Sequence, residues 1–439
     1  MQLFTQPPKP HRATTAHLQA AYPFVAEGGL GVPGPYIGRD LFGGFFCFDP
    51  WELYQRGQLT GPNVVVVGQI GRGKSTFVKT YLRRQAMFGR QAWVIDPKGE
   101  YGPLAHAAGA APLRLAPGGP LRLNPLDAIG PGPAPGPAPG SRPGTGDLQS
   151  RVAGSRPEGE LLASIVASSL GHDLTPGQRT ATDLALRRVA LRSGASRRDR
   201  PTLPDVVAAL LDPDPESAAS VSTDVAGLAA EGRDVALELR RLVEGDLAGM
   251  FDGPTSPGID PAASLVVLDL SALYASPALG ILMTCAAAWL QATINHAPGI
   301  KRLIVVDEAW AILRNLATAR WLQSSFKLSR AFGVANVAVV HRLSDLRAAG
   351  ADGSETQQLA QGLLADAETR VVFAQPPSEV PGVVDALGLT STEAAILPRL
   401  PRGMALWKVG ARSFVVAHAL TEREAVLVDT DASMREPRR

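Results

Sequence analysis

Short aliphatic runs alternate with longer stretches of helical period along this chain. Asn63 to Val67 (NVVVV) and Ala92 to Asp96 (AWVID) read as strands, with a helical stretch from Lys74 to about Met87 between them. That order is the strand, helix, strand unit of a parallel α/β sheet. Further strand-like runs follow at Leu265 to Leu270, Leu303 to Asp307, Ala335 to Val340, Arg370 to Ala374, Met404 to Val409 and Ser413 to Ala417. The all-apolar character of the central runs predicts strands buried on both faces, and the last pair reads as a closing hairpin. Helical patterns fill the gaps, notably Pro277 to Asn295 and Glu308 to Arg330. Residues 158 to about 248 contain no convincing strand; apolar positions such as Leu161, Leu162, Ile165 and Val166, then Val206, Val207, Leu210 and Leu211, recur at helical spacing. This region reads as a helical insertion.

Composition changes that picture in one respect. The chain has 439 residues, with 45 glycines and 37 prolines, and only seven of its 43 basic residues are lysine. From Pro131 to Gly144 ten of the 14 residues are Pro or Gly, which predicts an extended linker between the two kinds of sequence. The expected organisation is a loosely ordered arm (1–36), a first core part (37–130), the linker (131–157), the helical insertion (158–250), a second core part (251–430) and a polar tail (431–439).

A net charge of +2 and 19% charged residues mark no global nucleic-acid or membrane binder, so any basic surface is local. Cys47 and Cys285 lie far apart without metal-type spacing, which argues against a disulfide framework or zinc site. The amino terminus has no signal-peptide pattern, and the longest apolar run, Leu279 to Leu290, is too short for a transmembrane segment. A cytoplasmic protein, with room for docking at a membrane, is the expectation.

Gly68-Gln-Ile-Gly71-Arg72-Gly73-Lys74-Ser75-Thr76 is a full match to the phosphate-binding P-loop pattern, and it follows a four-valine strand and opens a helix. In that context backbone N–H groups surround the phosphates of ATP, Lys74 reaches the terminal ones, and Ser75 binds Mg²⁺. Leu303-Ile-Val-Val-Asp307-Glu308 supplies the matching strand end, with Asp307 for the metal and Glu308 to polarise the attacking water. An Asp ending a strand also serves as an ordinary helix cap. Asp96 and Lys98 stand at the end of a second strand, and His341 at the end of another, where open α/β sheets bind ligands. Arg330 and Arg370 are candidates for an arginine acting on a neighbouring subunit's phosphate. Seven arginines between Gln178 and Arg200 (179, 187, 188, 192, 197, 198, 200) are candidates for DNA contact, with a plain solvated helix face as the alternative.

Taken in order, these residues resemble the HerA/FtsK superfamily of ring-forming P-loop ATPases, within it the TraC-type conjugative or type IV secretion ATPases. The resemblance runs from about residue 37 to 430 through Gly38-Arg-Asp, Cys47-Phe-Asp49-Pro, GQIGRGKST, VIDPKGEYG, Leu123-Asn-Pro-Leu126, Gly245-Asp-Leu, Met250-Phe-Asp-Gly, LVVLDLSAL, VDEAW and Leu387-Gly-Leu-Thr. It implies a RecA-like α/β fold with a mostly parallel central sheet flanked by helices and an inserted all-α subdomain. It also implies ATP hydrolysis with Mg²⁺, a homo-hexamer, and secretion or conjugation machinery at the inner membrane as partner. Lys74, Ser75 and Thr76 then hold nucleotide and Mg²⁺, Asp307 and Glu308 form the Walker B pair, and Arg330 matches the family's trans-acting arginine best.

Two departures stand out: His341 replaces the family's usual glutamine, and the large amino-terminal domain of family members does not precede a P-loop that begins at Gly68. The leading expectation is a motor for conjugative transfer or type IV-like secretion. A translocase acting directly on DNA and a nucleotide-binding assembly protein with little hydrolysis are the alternatives.

Overall fold

The computed structural model describes residues 29–127, 157–170, 172–192, 200–257, 259–260, 263–274, 276, 278–295, 300–313, 316–341 and 355–428. Most of the expected arm, the Pro/Gly stretch 131–144, Arg197, Arg198 and the tail 431–439 lie outside them. Of the arm, residues 29–36 are packed: Leu30 and Val32 are buried, and Tyr36 opens a strand.

The described strands, in chain order, are β1 (Tyr36–Asp40), β2 (Phe45–Cys47), β3 (Val64–Val67), β4 (Gln91–Asp96), β5 (Leu113–Arg114), β6 (Leu265–Asp269), β7 (Arg302–Val306), β8 (Val334–Val340), β9 (Thr369–Phe373), β10 (Met404–Val409) and β11 (Arg412–His418). They form one sheet in the order β2-β1-β11-β10-β9-β3-β8-β7-β4-β6-β5. From β9 to β5 neighbouring strands are parallel; β10, β11, β1 and β2 extend the sheet in antiparallel pairing. The carboxyl ends of the seven parallel strands therefore share one edge.

Alternation along β3 shows why the central runs are wholly apolar. Val64 and Val66 pack into one cluster with Phe77, Val78, Tyr81 and Leu82 of the helix Lys74–Ala86, whereas Val65 and Val67 pack into another. That second cluster contains Leu282, Met283 and Trp289 of the helix Leu279–Asn295, and Leu322 and Phe326 of the helix Leu316–Phe332. Each valine buried this way contributes about 1.5 kcal/mol or more. Two covered faces require two apolar sets of residues on every central strand.

Between β5 and β6 the described chain is helical: Pro157–Leu170, Pro176–Arg192, Leu203–Leu211, Pro215–Ser220 and Val225–Arg241. Their starts are chemically marked. Asp214 and Asp224 accept from backbone N–H groups three residues on, and Thr202 with Asp205 forms a capping box. The helical pattern expected from Glu308 to Arg330 is helical at Trp310–Leu313 and Leu316–Phe332, and so starts two residues later than its first position. Glu308 has φ +55°, a left-handed conformation that cannot begin a right-handed helix.

Candidate active site

The P-loop follows directly from β3. Gly68 sits where a Cβ would come within 2.5 Å of the Phe373 Cβ on the neighbouring β9, so only glycine permits the two strands to approach. Gly73 caps the helix Lys74–Ala86 at φ +110°, aiming the chain so that the first helical turn closes the loop. The far wall comes from the turn before β10, where Gly403 N–H donates to the Arg72 carbonyl at 3.0 Å. Arg72 is half-buried, and its guanidinium stands 3.5 Å from Gln69 Oε1.

Lys74 is buried, and its Nζ donates to the carbonyls of Gly68 and, at 3.0 Å, Gln69. Burial pushes its pKa down to about 8, against the raising influence of Asp307 and Glu308. Ser75 and Thr76 are half-buried in the same first turn. The ammonium lies against two carbonyls of the loop that leads into a helix N-terminus, the helix end that favours an anion.

Two strands along, β7 delivers Asp307 and Glu308. Asp307 Oδ1 accepts the Glu308 backbone N–H at 3.0 Å, and burial, with Glu308 and Asp96 nearby, raises its pKa to about 6. Such a buried carboxylate gains from a cation. Together with the Ser75 hydroxyl it offers hard oxygen donors suited to Mg²⁺. Among the described residues no cluster of three or more His, Cys, Asp or Glu could hold a metal without other ligands. Phosphate oxygens and water would have to complete the shell.

Glu308 is 1% exposed at its side chain and lies between donors from both neighbouring strands. His341 Nε2, at the end of β8, stands 2.5 Å from Glu308 Oε1, and the Lys98 ammonium, beyond β4, pairs with the same oxygen. Trp310 Nε1 donates to Oε2. Burial alone would raise the Glu308 pKa, but the hydrogen bonds from His341 and Lys98 outweigh it and hold the carboxyl down to about 2. Burial likewise opposes the Lys98 charge, and Glu308 more than offsets it, so the Lys98 pKa is raised.

Asp96 ends β4 at this same edge and shapes the turn beyond it. Its carboxylate accepts the backbone N–H groups of Lys98, Gly99 and Tyr101 at 3.2, 2.9 and 2.9 Å, fixing the turn that presents Lys98. The structure thus brings together Gly68, Gly71, Arg72, Gly73, Lys74, Ser75, Thr76, Lys98, Asp307, Glu308 and His341 at one sheet edge.

It does not bring the two arginine candidates there. Arg330 is exposed and donates to Thr60 O at 3.3 Å, beside the opposite end of β3. Arg370 is half-buried, donating to Leu387 O at 2.8 Å and Ala365 O at 3.2 Å, where it closes the ends of two helices. In the arginine-rich helix Pro176–Arg192, Arg179, Arg187 and Arg192 are exposed, while Arg188 bridges to Asp214 at 3.6 Å.

Sequence reasoning assigned no role to Trp310 or Gly403. Trp310 lies within the VDEAW stretch, two residues from Glu308, so its signal was present; nothing in the sequence places Gly403 against the P-loop.

No protein-family model matches the sequence, and no curated protein matches it either. Solved structures do match. VirB4 of Thermoanaerobacter pseudethanolicus is similar over 91% of this chain and 99% of its own, with 20% identity and a TM-score of 0.68. The plasmid coupling protein TrwB in complex with ADP and Mg²⁺ is similar over 82% of this chain and 86% of its own, at 15% identity and a TM-score of 0.51. TrwB bound to a non-hydrolysable ATP analogue gives 15% identity and a TM-score of 0.52 over the same shares of the two chains, 82% and 86%. The chain shares the fold of VirB4 and TrwB, the RecA-like P-loop fold with a mostly parallel sheet and an inserted helical subdomain.

Proposed function

We propose that this chain is an ATP-hydrolysing motor of the HerA/FtsK type that powers conjugative DNA transfer or type IV-like secretion. The observation that carries the reading is the meeting of a P-loop lysine with an Asp-Glu pair at one sheet edge, on a fold shared with VirB4 and TrwB. In this reading residues 37–130 and 251–430 form the ATPase core around the insertion 158–250. Gly68, Gly71, Arg72 and Gly73 wrap the phosphates with their backbone, and Lys74 and Thr76 bind nucleotide. Ser75 and Asp307 hold Mg²⁺, which when bound spreads the negative charge of the phosphate oxygens.

Glu308 orients a water whose oxygen bonds to the γ-phosphorus as the bond to the β–γ bridging oxygen breaks; inorganic phosphate leaves, with ADP as the other product. Arg330, exposed and remote from its own P-loop, supports assembly into a homo-hexamer in which it serves the neighbouring subunit. Among the described residues no helix is long and apolar enough to cross a membrane. Work at the cytoplasmic face of an inner-membrane apparatus accords with that.

One observation favours the direct DNA translocase: Arg179, Arg187 and Arg192 are exposed on a single helix. Turnover of ATP by the wild-type, Lys74→Ala and Glu308→Gln chains, with and without duplex DNA at low salt, tests both readings. A fall of about 100-fold or more in kcat for Glu308→Gln is expected. Equal turnover by wild type and Glu308→Gln would overturn the motor, and identical rates with and without DNA would remove the translocase.

A further inference from the structure

The antiparallel end of the sheet carries a cavity on the face away from the P-loop helix. Leu406 of β10 and Val415 of β11 pack with the core cluster that holds Val65 and Val67, not with the one built on the helix Lys74–Ala86. Between these two residues, Phe42 of the β1–β2 turn and Ile396 of the helix Ser391–Ile396, a cavity of about 200 Å³ opens. Drug-sized ligands take roughly 300–1,000 Å³, so this volume suits one or two side chains rather than a metabolite or a nucleotide. Leu41, Phe42 and Phe45 beside it are 49%, 61% and 68% exposed, three large apolar residues within one turn. Apolar surface gathered in this way marks a contact with another protein.

One wall of the cavity is acidic, with Asp40 and Glu393. Glu393 is compensated: it accepts from the Ser413 hydroxyl, from Lys408 Nζ at 3.2 Å and from the Thr390 backbone N–H at 2.6 Å. Asp40 is not. It is 7% exposed, and its Oδ1 accepts the backbone N–H groups of Phe42 and Gly44, each at 2.8 Å. Oδ2 is buried with no hydrogen-bond partner. The adjacent Arg39 is turned elsewhere, its guanidinium 5.1 Å from the centre of the Phe45 ring and donating to Gly43 O at 3.3 Å. A buried carboxylate oxygen left in this state costs free energy that a hydrogen-bonding cation recovers.

We propose that this cavity is a docking site for a segment of a partner polypeptide, which lays the stem of one lysine or arginine along Phe42, Leu406 and Val415 and its charge on Asp40. A bulky apolar residue next to that cation covers Leu41 and Phe45. Basic side chains bury their apolar stems readily while the charged head finds a polar partner. Nucleic-acid phosphates and anionic lipid headgroups are repelled by the same carboxylates. The chain's own first described residues lie on the other face, where Leu30 and Val32 join the cluster of the P-loop helix and Arg412 donates to the Gly29 carbonyl.

Calorimetric titration of the full chain with two blocked peptides tests this. One is acetyl-leucyl-lysyl-phenylalaninamide; the other has norleucine for lysine, which keeps the stem and drops the charge. The lysyl peptide should bind about tenfold tighter at low salt and lose most of that lead in about 1 M NaCl. Asp40→Asn retains an acceptor for the turn and should remove the lead, with the norleucyl peptide changed less than about twofold. Phe42→Ala should weaken both peptides about fivefold.

Equal affinity of the wild type for the two peptides, or binding of neither, overturns the proposal. If Asp40→Asn does not fold, Thr392→Lys, which sets a cation on an exposed residue of the cavity wall, must abolish the lead, and an unchanged lead overturns it. A change in the oligomeric state of the unliganded chain on Asp40→Asn would assign the cavity to a second copy. Tightening of the lysyl peptide about tenfold by Lys9→Ala with Arg12→Ala would assign it to the amino-terminal arm. Either result overturns the partner. None of these measurements involves nucleotide, so failure here leaves the motor reading standing.

Discussion

His341 Nε2 and Glu308 Oε1 are 2.5 Å apart across two adjacent parallel strands, which makes the histidine the immediate partner of the carboxylate expected to organise the attacking water. Removing the ring leaves nucleotide contacts with the P-loop intact while the carboxylate loses one of its anchors. His341→Ala should therefore lower kcat for ATP at least tenfold with KM changed less than about threefold, measured by steady-state phosphate release. A large rise in KM with kcat preserved would place His341 in ground-state binding instead.

Gly68 leaves no room for a side chain, because the Cβ would lie 2.5 Å from Phe373 Cβ and 3.2 Å from Phe373 Cα on β9. Gly68→Ala must push β3 and β9 apart, at a cost of roughly 1–3 kcal/mol. Lower thermal stability and weakened ATP binding are expected together. Gly71, with nothing within 4 Å of a built Cβ but φ +77°, is the control: Gly71→Ala should impair the loop by backbone strain while moving the melting temperature less.

Arg84 pairs with Glu424 through two hydrogen bonds of 2.8 and 2.7 Å and also donates to Tyr36 O at 2.6 Å and Ala419 O at 2.7 Å. Burial raises the Glu424 pKa, but the Arg84 hydrogen bonds outweigh it, so the folded value lies below the ordinary 4.5. A depressed folded pKa means stability that is present above the unfolded value and lost as the pH falls through the folded one. Glu424→Gln should thus destabilise by roughly 3 kcal/mol at pH 7. The gap to wild type should shrink steadily below about pH 4.5, and a melting-temperature difference that stays constant down to pH 3 would contradict this account.

The two arginines proposed for action between subunits should now separate. Arg370 is committed to the carbonyls of Leu387 and Ala365, so Arg370→Ala should lower stability by about 1–3 kcal/mol. Arg330→Ala should leave the melting temperature nearly unchanged and reduce turnover. If Arg330 acts on a neighbour, mixing Arg330→Ala subunits with Lys74→Ala subunits should recover activity at the junctions where an intact arginine meets an intact P-loop. Absence of recovery at every mixing ratio would remove Arg330 from that role.

The central strands were legible because burial on two faces leaves an unmistakable trace: β3 is four valines, and in β7 Arg302 is followed by Leu303, Ile304, Val305 and Val306. The edges left no such trace. β5 is two residues and β2 three, too short to alternate, while β1 (YIGRD) carries Gly38, Arg39 and Asp40 instead of an aliphatic run and ends in a tight turn where Asp40 accepts from Phe42 and Gly44. In the sequence Gly38 stands out only as part of Gly38-Arg-Asp. Its reason is spatial, since a Cβ there would stand 1.9 Å from the Ala417 carbonyl oxygen of β11.

The same limit governed the site. The P-loop and Asp307-Glu308 are contiguous and carry their chemistry in their order. The joining of Lys98, Glu308 and His341 depends on β8, β7 and β4 being neighbours, which chain order does not give. Glu308 illustrates the point twice, because a helical period beginning at it concealed the left-handed backbone that turns its carboxylate toward both flanks.

Trp310 gives the site an optical voice. An indole whose N–H rests on a carboxylate emits according to the charge and water around it, and Trp310 rests on the carboxylate that every proposed step of the cycle must disturb. Trp51, Trp93, Trp289 and Trp407 are buried in the packed interior and supply a steady background. The difference in emission between the native chain and Trp310→Phe therefore isolates the state of Glu308, so the resting and nucleotide-bound forms can be told apart in real time without any attached dye.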